Sequence, residues 1–133
     1  MKPLTSNITK GLTTGSRLVC ADNSGAKEYY IINVLGVCGR RGRTPKAGIG
    51  DIIIVSVKKG TPKKRKTIVK ALIVRQVKEF RRPNGMRIQF EDNAAVEIDA
   101  EKGIPIATEI KGAVAREISE RYPKVSGIAS IVV

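Results

Sequence analysis

Five short runs rich in Val and Ile recur along the sequence, and turn residues bound each of them. Runs of this length and composition are typical of β-strands. The five runs are RLVCA (17–21), EYYIINVLGVC (28–38), DIIIVSV (51–57), TIVKALIVRQV (67–77) and MRIQF (86–90). Two weaker strand candidates are AAVEID (94–99) and IASIVV (128–133). Short strands with tight connections predict an all-β fold, an antiparallel sheet closed into a small barrel, because closure removes unpaired strand edges.

One connection carries a clear hairpin signal. PNG at 83–85 links VKEF (77–80) to MRIQF, and both flanking segments have strand character. A tight turn of this kind needs a residue with positive φ, and we expect Gly85 to supply it.

One segment, GAVAREISERYP (112–123), predicts a helix. Val114, Ile118 and Tyr122 repeat every four residues, so we expect them to pack on the barrel, and we expect Pro123 to end the helix. Their neighbours are expected to point outward, towards a protein partner. These candidate protein-partner residues are Arg116, Glu117 and Glu120.

The positive charge of the chain is concentrated in its middle third. The formal net charge is +13, which favours nucleic acid or an anionic membrane as a partner. Residues 40–87 contain 16 Lys and Arg and only two acids, a net charge of +14, whereas residues 88–133 carry −3. The sequence therefore predicts a basic face and a separate face that is not basic.

Three clusters in predicted connections hold most of these cations. The loop GRRGRTPKAGIG (39–50) combines arginines suited to bidentate phosphate contacts with glycines that let the backbone approach a ligand. KKGTPKKRK (58–66) has six cations in nine positions, and the third cluster flanks the PNG turn. The candidate RNA-binding residues are Arg40, Arg41, Arg43, Lys46, Lys58, Lys59, Lys63, Lys64, Arg65, Lys66, Arg81, Arg82 and Arg87.

Each cluster alone fits a solvated charge run, but three clusters with only two acids between them favour an external polyanion. We expect the cations of 58–66 to neutralise phosphate, with fold stability a minor role. KKRK (63–66) also matches a nuclear address, although so short a match is common by chance.

Folded RNA is the polyanion that fits best. Aromatic residues make up 4% of the chain and Trp is absent, so platforms for stacking single-stranded bases are scarce. No predicted helix has a basic face for a DNA major groove, and the cations stand beside Gly and Pro rather than on an amphipathic helix that could bind a membrane. Arg- and Lys-rich loops on a barrel suit the phosphates and 2′-hydroxyls of structured RNA.

Catalytic, metal and cofactor chemistry have little support in the sequence. The chain has no histidine and two cysteines, Cys20 and Cys38, which lie in apolar runs and are expected to be buried free thiols. The phosphate-binding patterns GxxxxGK[ST] and GxGxxG are absent, and no spacing singles out a pair of carboxylates. We therefore expect no enzyme activity, no metal and no cofactor.

Length and patterning favour one intracellular, soluble domain. A chain of 133 residues buries one core, and MKPLTSNITKG at the start lacks an apolar signal core. We expect a single domain over residues 1–133, with a β-barrel and basic loops in 1–108 and a helical C-terminal part in 109–133.

Five ordered blocks resemble the family of the universal large-subunit ribosomal protein fourteen. FEDNAAV (90–96) matches the most diagnostic part of that family, and the resemblance runs from about Arg17 to the C-terminus. The first 16 residues exceed the bacterial pattern, and Ala113 stands where bacterial members usually have Pro; both features look archaeal or eukaryotic. The blocks are VCADNSGAK (19–27), GIGDIIIVSVKKGTPKKRK (48–66), ALIVRQVKE (71–79), NGMRIQFEDNAAVEI (84–98) and GAVARE (112–117).

The resemblance implies a closed five-stranded barrel with a short helical C-terminal part, and a cytoplasmic place in the large ribosomal subunit. It implies binding to large-subunit rRNA and an intersubunit bridge to small-subunit rRNA. It also implies contacts with neighbouring large-subunit ribosomal proteins, and an anti-association factor docked on the C-terminal region.

The sequence leaves alternatives open for the function and for two of its motifs. A stand-alone RNA chaperone or translation factor with a barrel fold would share the charge pattern, and an enzyme acting on RNA would need a reactive cluster that the sequence does not show. In FEDNAAVEID (90–99), Phe90 and Val96 fit the core and Asp92 and Asn93 fit a turn, although the acids of this block could meet a basic protein. Lys27 in DNSGAK (22–27) could touch RNA.

Overall fold

The structure is a computed structural model that describes residues 2–133. Over these residues the chain forms mostly β-strands, with two short helices near the C-terminus. The strands are β1 (Leu12–Thr13), β2 (Arg17–Cys20), β3 (Ala26–Val34), β4 (Lys46–Ala47), β5 (Ile52–Gly60), β6 (Ile68–Arg75), β7 (Phe80–Arg81), β8 (Arg87–Ile88), β9 (Ala94–Asp99), β10 (Ile104–Pro105), β11 (Ile110–Val114) and β12 (Ala129–Val132). The helices are α1 (Arg116–Arg121) and α2 (Pro123–Gly127).

Five strands close into the predicted barrel. Their order is β9-β2-β3-β5-β6, and β6 pairs with β9 to complete the ring. Four of the five pairings are antiparallel. The fifth, β2 with β9, is parallel, with Val19 opposite Ala94 and Cys20 opposite Ala95. The all-β barrel is confirmed, and the parallel pairing is a feature that sequence patterning did not indicate.

The barrel core follows from the alternation of the strands. In β3, Tyr29 and Ile31 are fully buried, and in β5, Ile53, Val55 and Val57 are buried in the same way. Successive side chains of a strand point to opposite faces, so one face of each strand fills the interior.

The fifth barrel strand is β9, which corresponds to the weaker strand candidate AAVEID. Residues 94–98 of β9 are all buried, whereas MRIQF contributes only the two-residue β8, which pairs with β7 outside the barrel. Met86 is 57% exposed, as expected for a hairpin in solvent. The PNG hairpin itself is confirmed, and Gly85 has φ +86.

The C-terminal part is less helical than predicted. Residues 110–114 form β11, which pairs in parallel with β12, so the predicted helix over 112–123 was wrong in its first turn. The predicted helix ends just before Pro123 as expected, since α1 stops at Arg121, and Pro123 then begins α2, where its missing N–H costs no hydrogen bond. The three residues predicted to pack on the barrel, Val114, Ile118 and Tyr122, are buried as expected.

The C-terminal part is fixed to the barrel by backbone contacts. Ile110 forms a bridge with Asp22, and the Lys111 N–H donates to the Ala21 carbonyl. The Ala115 N–H donates to the carbonyl of Val74 in β6. Within residues 2–133 no helix is long and apolar enough to cross a membrane.

Candidate nucleic-acid interface

The loop at 39–50 carries exposed cations around a hollow of its own. Arg40, Arg41, Arg43 and Lys46 are exposed, and none makes an ion pair or side-chain hydrogen bond with the described residues. The hollow measures about 820 Å³, and Lys10 joins the loop in lining it. Cations without internal partners are available to an external anion.

Backbone geometry shapes this loop. Arg41 has φ +53 and Gly42 has φ +74, and the Arg43 N–H donates to the Arg40 carbonyl, so the chain turns sharply at the arginines. The other end of the loop is tied down by the pairing of β4 with β1. That pairing brings Lys10 to the loop, a contribution that no local sequence signal indicates.

The segment at 58–66 forms the end of the β5–β6 hairpin. Lys63, Arg65 and Lys66 are exposed. Lys58 lies over the Tyr30 ring, with Nζ 4.9 Å from the ring centroid, and Lys59 pairs with Glu28 at 2.8 Å. The side chains that line a hollow of about 350 Å³ beside Gly60 are those of Lys27, Lys58, Lys59 and Arg65.

Glu28 sits beneath this cluster as a local counter-charge. It accepts from Lys59 and from Arg17, and these contacts lower the pKa of the Glu28 carboxyl. The carboxylate therefore stays ionised and orients Lys59, although both pairs are exposed to solvent and contribute little to stability.

Lys64 differs from its neighbours because it is bound internally. Its Nζ lies 2.7 and 2.9 Å from the two carboxylate oxygens of Glu97. Glu97 lies in β9 and is only 4% exposed. The expectation that the cations of 58–66 have only a minor role in stability stays a prediction, and the contact with Glu97 argues against it for Lys64. This pair fastens the hairpin end to the barrel wall.

The third cluster also contains both exposed cations and one cation that is bound internally. Arg81 and Arg87 are exposed, and Arg87 makes a pair with Glu79 at 3.2 Å. Arg82 is 9% exposed, and its guanidinium binds both carboxylate oxygens of Glu117 and the carbonyl of Val133. Arg82 is therefore committed to the protein interior and is not a free cation at the surface.

The predicted protein-partner residues are only partly exposed. Arg116 is exposed, but Glu117 is 2% exposed, so the prediction that Glu117 points outward was wrong. Glu120 is half-buried and accepts from the Thr5 hydroxyl at 3.0 Å. The reason is that the N-terminal segment and the β7–β8 hairpin cover this side of α1, and four-residue spacing cannot reveal such long-range contacts.

The turn DNSGAK is built around a buried carboxylate. Asp22 is 5% exposed and accepts from the backbone N–H groups of Ser24 at 2.9 Å and Glu97 at 2.7 Å. The Cys20 thiol donates to Asp22 at 3.0 Å, and burial raises the pKa of Cys20 to about 11, so this thiol is unreactive near neutral pH. Cys38, also predicted to be buried, is exposed because β3 ends before it.

The block FEDNAAVEID has mainly structural contacts. Asn93 accepts from the Val77 N–H at 2.9 Å, and Asp92 binds the Arg75 guanidinium through both oxygens. Val96 is in the core, and Phe90 packs partly buried against it. Among residues 2–133 no group of three Cys, Asp or Glu side chains could hold a metal ion.

Comparison with known proteins identifies the family. The family model described as ribosomal protein L14p/L23e matches residues 11–133. The chain belongs to the ribosomal protein L14p/L23e family. This family consists of structural ribosomal proteins, so the chain is not an enzyme.

Three similar proteins of the L14p/L23e family come from archaea. The chain is 54% identical to one from Methanoregula boonei, 53% to one from Methanocorpusculum labreanum and 51% to one from Halobacterium salinarum. Each match spans 133 residues and all of both chains. All three are described as large ribosomal subunit protein uL14. The family resemblance and its archaeal character are confirmed.

Proposed function

We propose that this protein is a structural constituent of the large ribosomal subunit that binds large-subunit rRNA through its three basic clusters. The observation that carries the proposal is the set of exposed cations in the three clusters, most of which have no ion-pair or hydrogen-bond partner in the part of the chain that the structure describes. Exposed cations, including those in weak solvent-exposed ion pairs, can bind phosphate and release counterions, whereas a cation held by a buried carboxylate is not free to do so.

The structure refines the set of residues proposed to contact RNA. Lys64 and Arg82 leave it because each is held by a buried glutamate. Lys27 and Lys10 enter it because they line the same hollows as predicted residues, and the ion pair of Lys10 with Asp51 at 3.2 Å is partly exposed to solvent. The proposed RNA-binding residues are therefore Lys10, Lys27, Arg40, Arg41, Arg43, Lys46, Lys58, Lys59, Lys63, Arg65, Lys66, Arg81 and Arg87.

We further propose that the protein helps to form an intersubunit bridge to small-subunit rRNA and contacts neighbouring large-subunit proteins. The C-terminal part offers a surface of different chemistry, since Ile131, Val132 and Val133 are exposed apolar residues and Arg116 is an exposed cation. This mixture suits a protein partner, and we propose that the anti-association factor binds this surface.

The experiment that tests the function is sedimentation of the native protein after a high-salt wash. A subunit constituent stays with the large subunit on a sucrose gradient, because many buried contacts hold it there. A stand-alone RNA chaperone or translation factor moves to the top of the gradient, and that result would contradict the proposal. For the protein surface, Arg116→Glu should weaken binding of the anti-association factor and leave rRNA affinity unchanged.

A further inference from the structure

The N-terminal segment, residues 4–9, lies against the protein and has two different sides. Leu4 and Ile8 are half-buried and Ser6 is buried, so alternate side chains face the protein. The side chains that alternate with them form an exposed polar row, which consists of Thr5, Asn7 and Thr9.

Contacts along its buried side hold this segment in place. The Ser6 hydroxyl donates to Glu117 at 3.2 Å, and the Gln76 amide donates to the Thr9 carbonyl at 2.8 Å. Gln76 is fully buried, and Ser6 is 8% exposed. The exposed row is therefore presented on a fixed backbone.

This exposed row borders the third basic cluster. Asn7 forms an antiparallel bridge with Arg81, which places the segment beside the β7–β8 hairpin. Residues of both the segment and the hairpin line a groove of about 630 Å³, among them Asn7 and Thr9 of the segment and Arg81 and Arg87 of the hairpin. Its volume is in the range of ligand-binding clefts.

The groove offers two kinds of free polar group. The Asn7 amide, the Thr9 hydroxyl and the Arg81 guanidinium have no hydrogen-bond partner among the described residues. Arginine binds phosphate, and neutral amide and hydroxyl groups can both donate to and accept from a ribose 2′-hydroxyl. The third neutral side chain, Thr5, is already bound to Glu120.

We propose that this groove binds the sugar-phosphate backbone of RNA, with Arg81 and Arg87 on phosphates and Asn7 and Thr9 on ribose 2′-hydroxyls. This inference rests on the proposed rRNA-binding function and assigns a role in it to the N-terminal segment. Phosphate contacts alone would not distinguish RNA from DNA, whereas 2′-hydroxyl contacts do.

The test compares Asn7→Ala/Thr9→Ala with the wild-type chain on a large-subunit rRNA transcript. Affinity is measured over a series of salt concentrations, and the riboses protected by the protein are mapped by 2′-hydroxyl acylation. Gln89→Ala is the matched control, because the Gln89 side chain is also an exposed amide with no hydrogen bond among the described residues and lies outside the groove. Arg81→Gln tests the phosphate side of the same groove.

The double variant should bind about five- to tenfold more weakly, since it cannot form two of the neutral hydrogen bonds, while the salt dependence of affinity stays unchanged. A few riboses should lose protection, and Arg81→Gln should disturb the same riboses while lowering the salt slope by about 0.7 to 0.9.

Three results would overturn the inference. In the first, the double variant keeps the affinity and the ribose protection of the wild type. In the second, it binds more weakly but every ribose is still protected. In the third, it binds RNA as the wild type does but no longer binds a neighbouring protein. If the wild-type chain itself bound no rRNA, the proposed function would fail and the inference with it.

Discussion

Cations that look equivalent in the sequence have different roles in the structure. Lys63 and Lys64 are adjacent in one basic run, yet Lys63 is exposed and Lys64 binds Glu97, 33 residues away. Arg81 and Arg82 divide in the same way, with Arg82 bound to Glu117 across 35 residues. Local composition predicts that a cluster is basic, but it cannot identify the member that a distant buried carboxylate holds.

Lys64→Ser should destabilise the fold, whereas Lys63→Ser should not. Loss of Lys64 leaves the Glu97 carboxylate buried without its partner, which we expect to cost about 1 to 3 kcal/mol in the free energy of unfolding. Lys63→Ser should stay within about 0.5 kcal/mol, as exposed substitutions usually do. Urea unfolding measures both, and equal midpoints for the two variants would show that the Lys64–Glu97 pair is not structural.

Arg82→Met should cost about 3 to 5 kcal/mol, because it leaves Glu117 charged and unpaired in the interior. Adding Glu117→Leu should recover most of that loss, since it removes the unpaired charge. In the folded double variant, the salt slope of rRNA binding should equal that of the wild type. A slope reduced as much as in Arg81→Gln would show that Arg82 reaches RNA after all.

At the scale of elements, the sequence patterns predicted most of the barrel strands correctly but only part of the C-terminal helix. Four of the five predicted main runs supply barrel strands, because Val- and Ile-rich segments that alternate between two faces fit a closed sheet. The fifth barrel strand, β9, has the sequence AAVEID, and its pattern is weak because Ala, Glu and Asp are depleted in strands. The last three residues of β11, 112–114, fit the helix pattern of 112–123, because no local signal reveals the pairing of β11 with β12.

The end of the β3–β5 ribbon depends on a glycine at close approach. A Cβ on Gly60 would lie 2.7 Å from the Gly25 carbonyl oxygen. Gly60→Ala should therefore push β3 and β5 apart and cost about 1 to 3 kcal/mol in the free energy of unfolding. Gly127→Ala in α2 is the control, because nothing lies within 4 Å of its added methyl group and Ala favours helix. Equal unfolding midpoints for the two variants would contradict the close approach.

At the scale of the whole molecule, the charge distribution was the most reliable guide to function. The net charge of +14 in residues 40–87 predicted an RNA partner, and membership of the L14p/L23e family agrees with it. The N-terminal segment could not be interpreted from sequence, since its contacts with α1 and the hairpin span more than 70 residues. We propose that barrel and C-terminal part form one domain, because Arg82–Glu117 and the Asp22–Ile110 bridge connect them.

The central claim is that exposed, internally unpaired cations of the basic clusters neutralise rRNA phosphates. The most direct test measures how the affinity of Lys63→Ser/Arg65→Ser/Lys66→Ser for a large-subunit rRNA transcript depends on salt. Its control is Lys102→Ser/Lys124→Ser, which removes exposed cations of the C-terminal third. The triple variant should keep the wild-type unfolding midpoint, while the slope of log K against log salt falls by about 0.7 to 0.9 for each phosphate that the three cations neutralise in the wild type. The control should keep the wild-type slope. A triple variant with the wild-type slope would contradict the account.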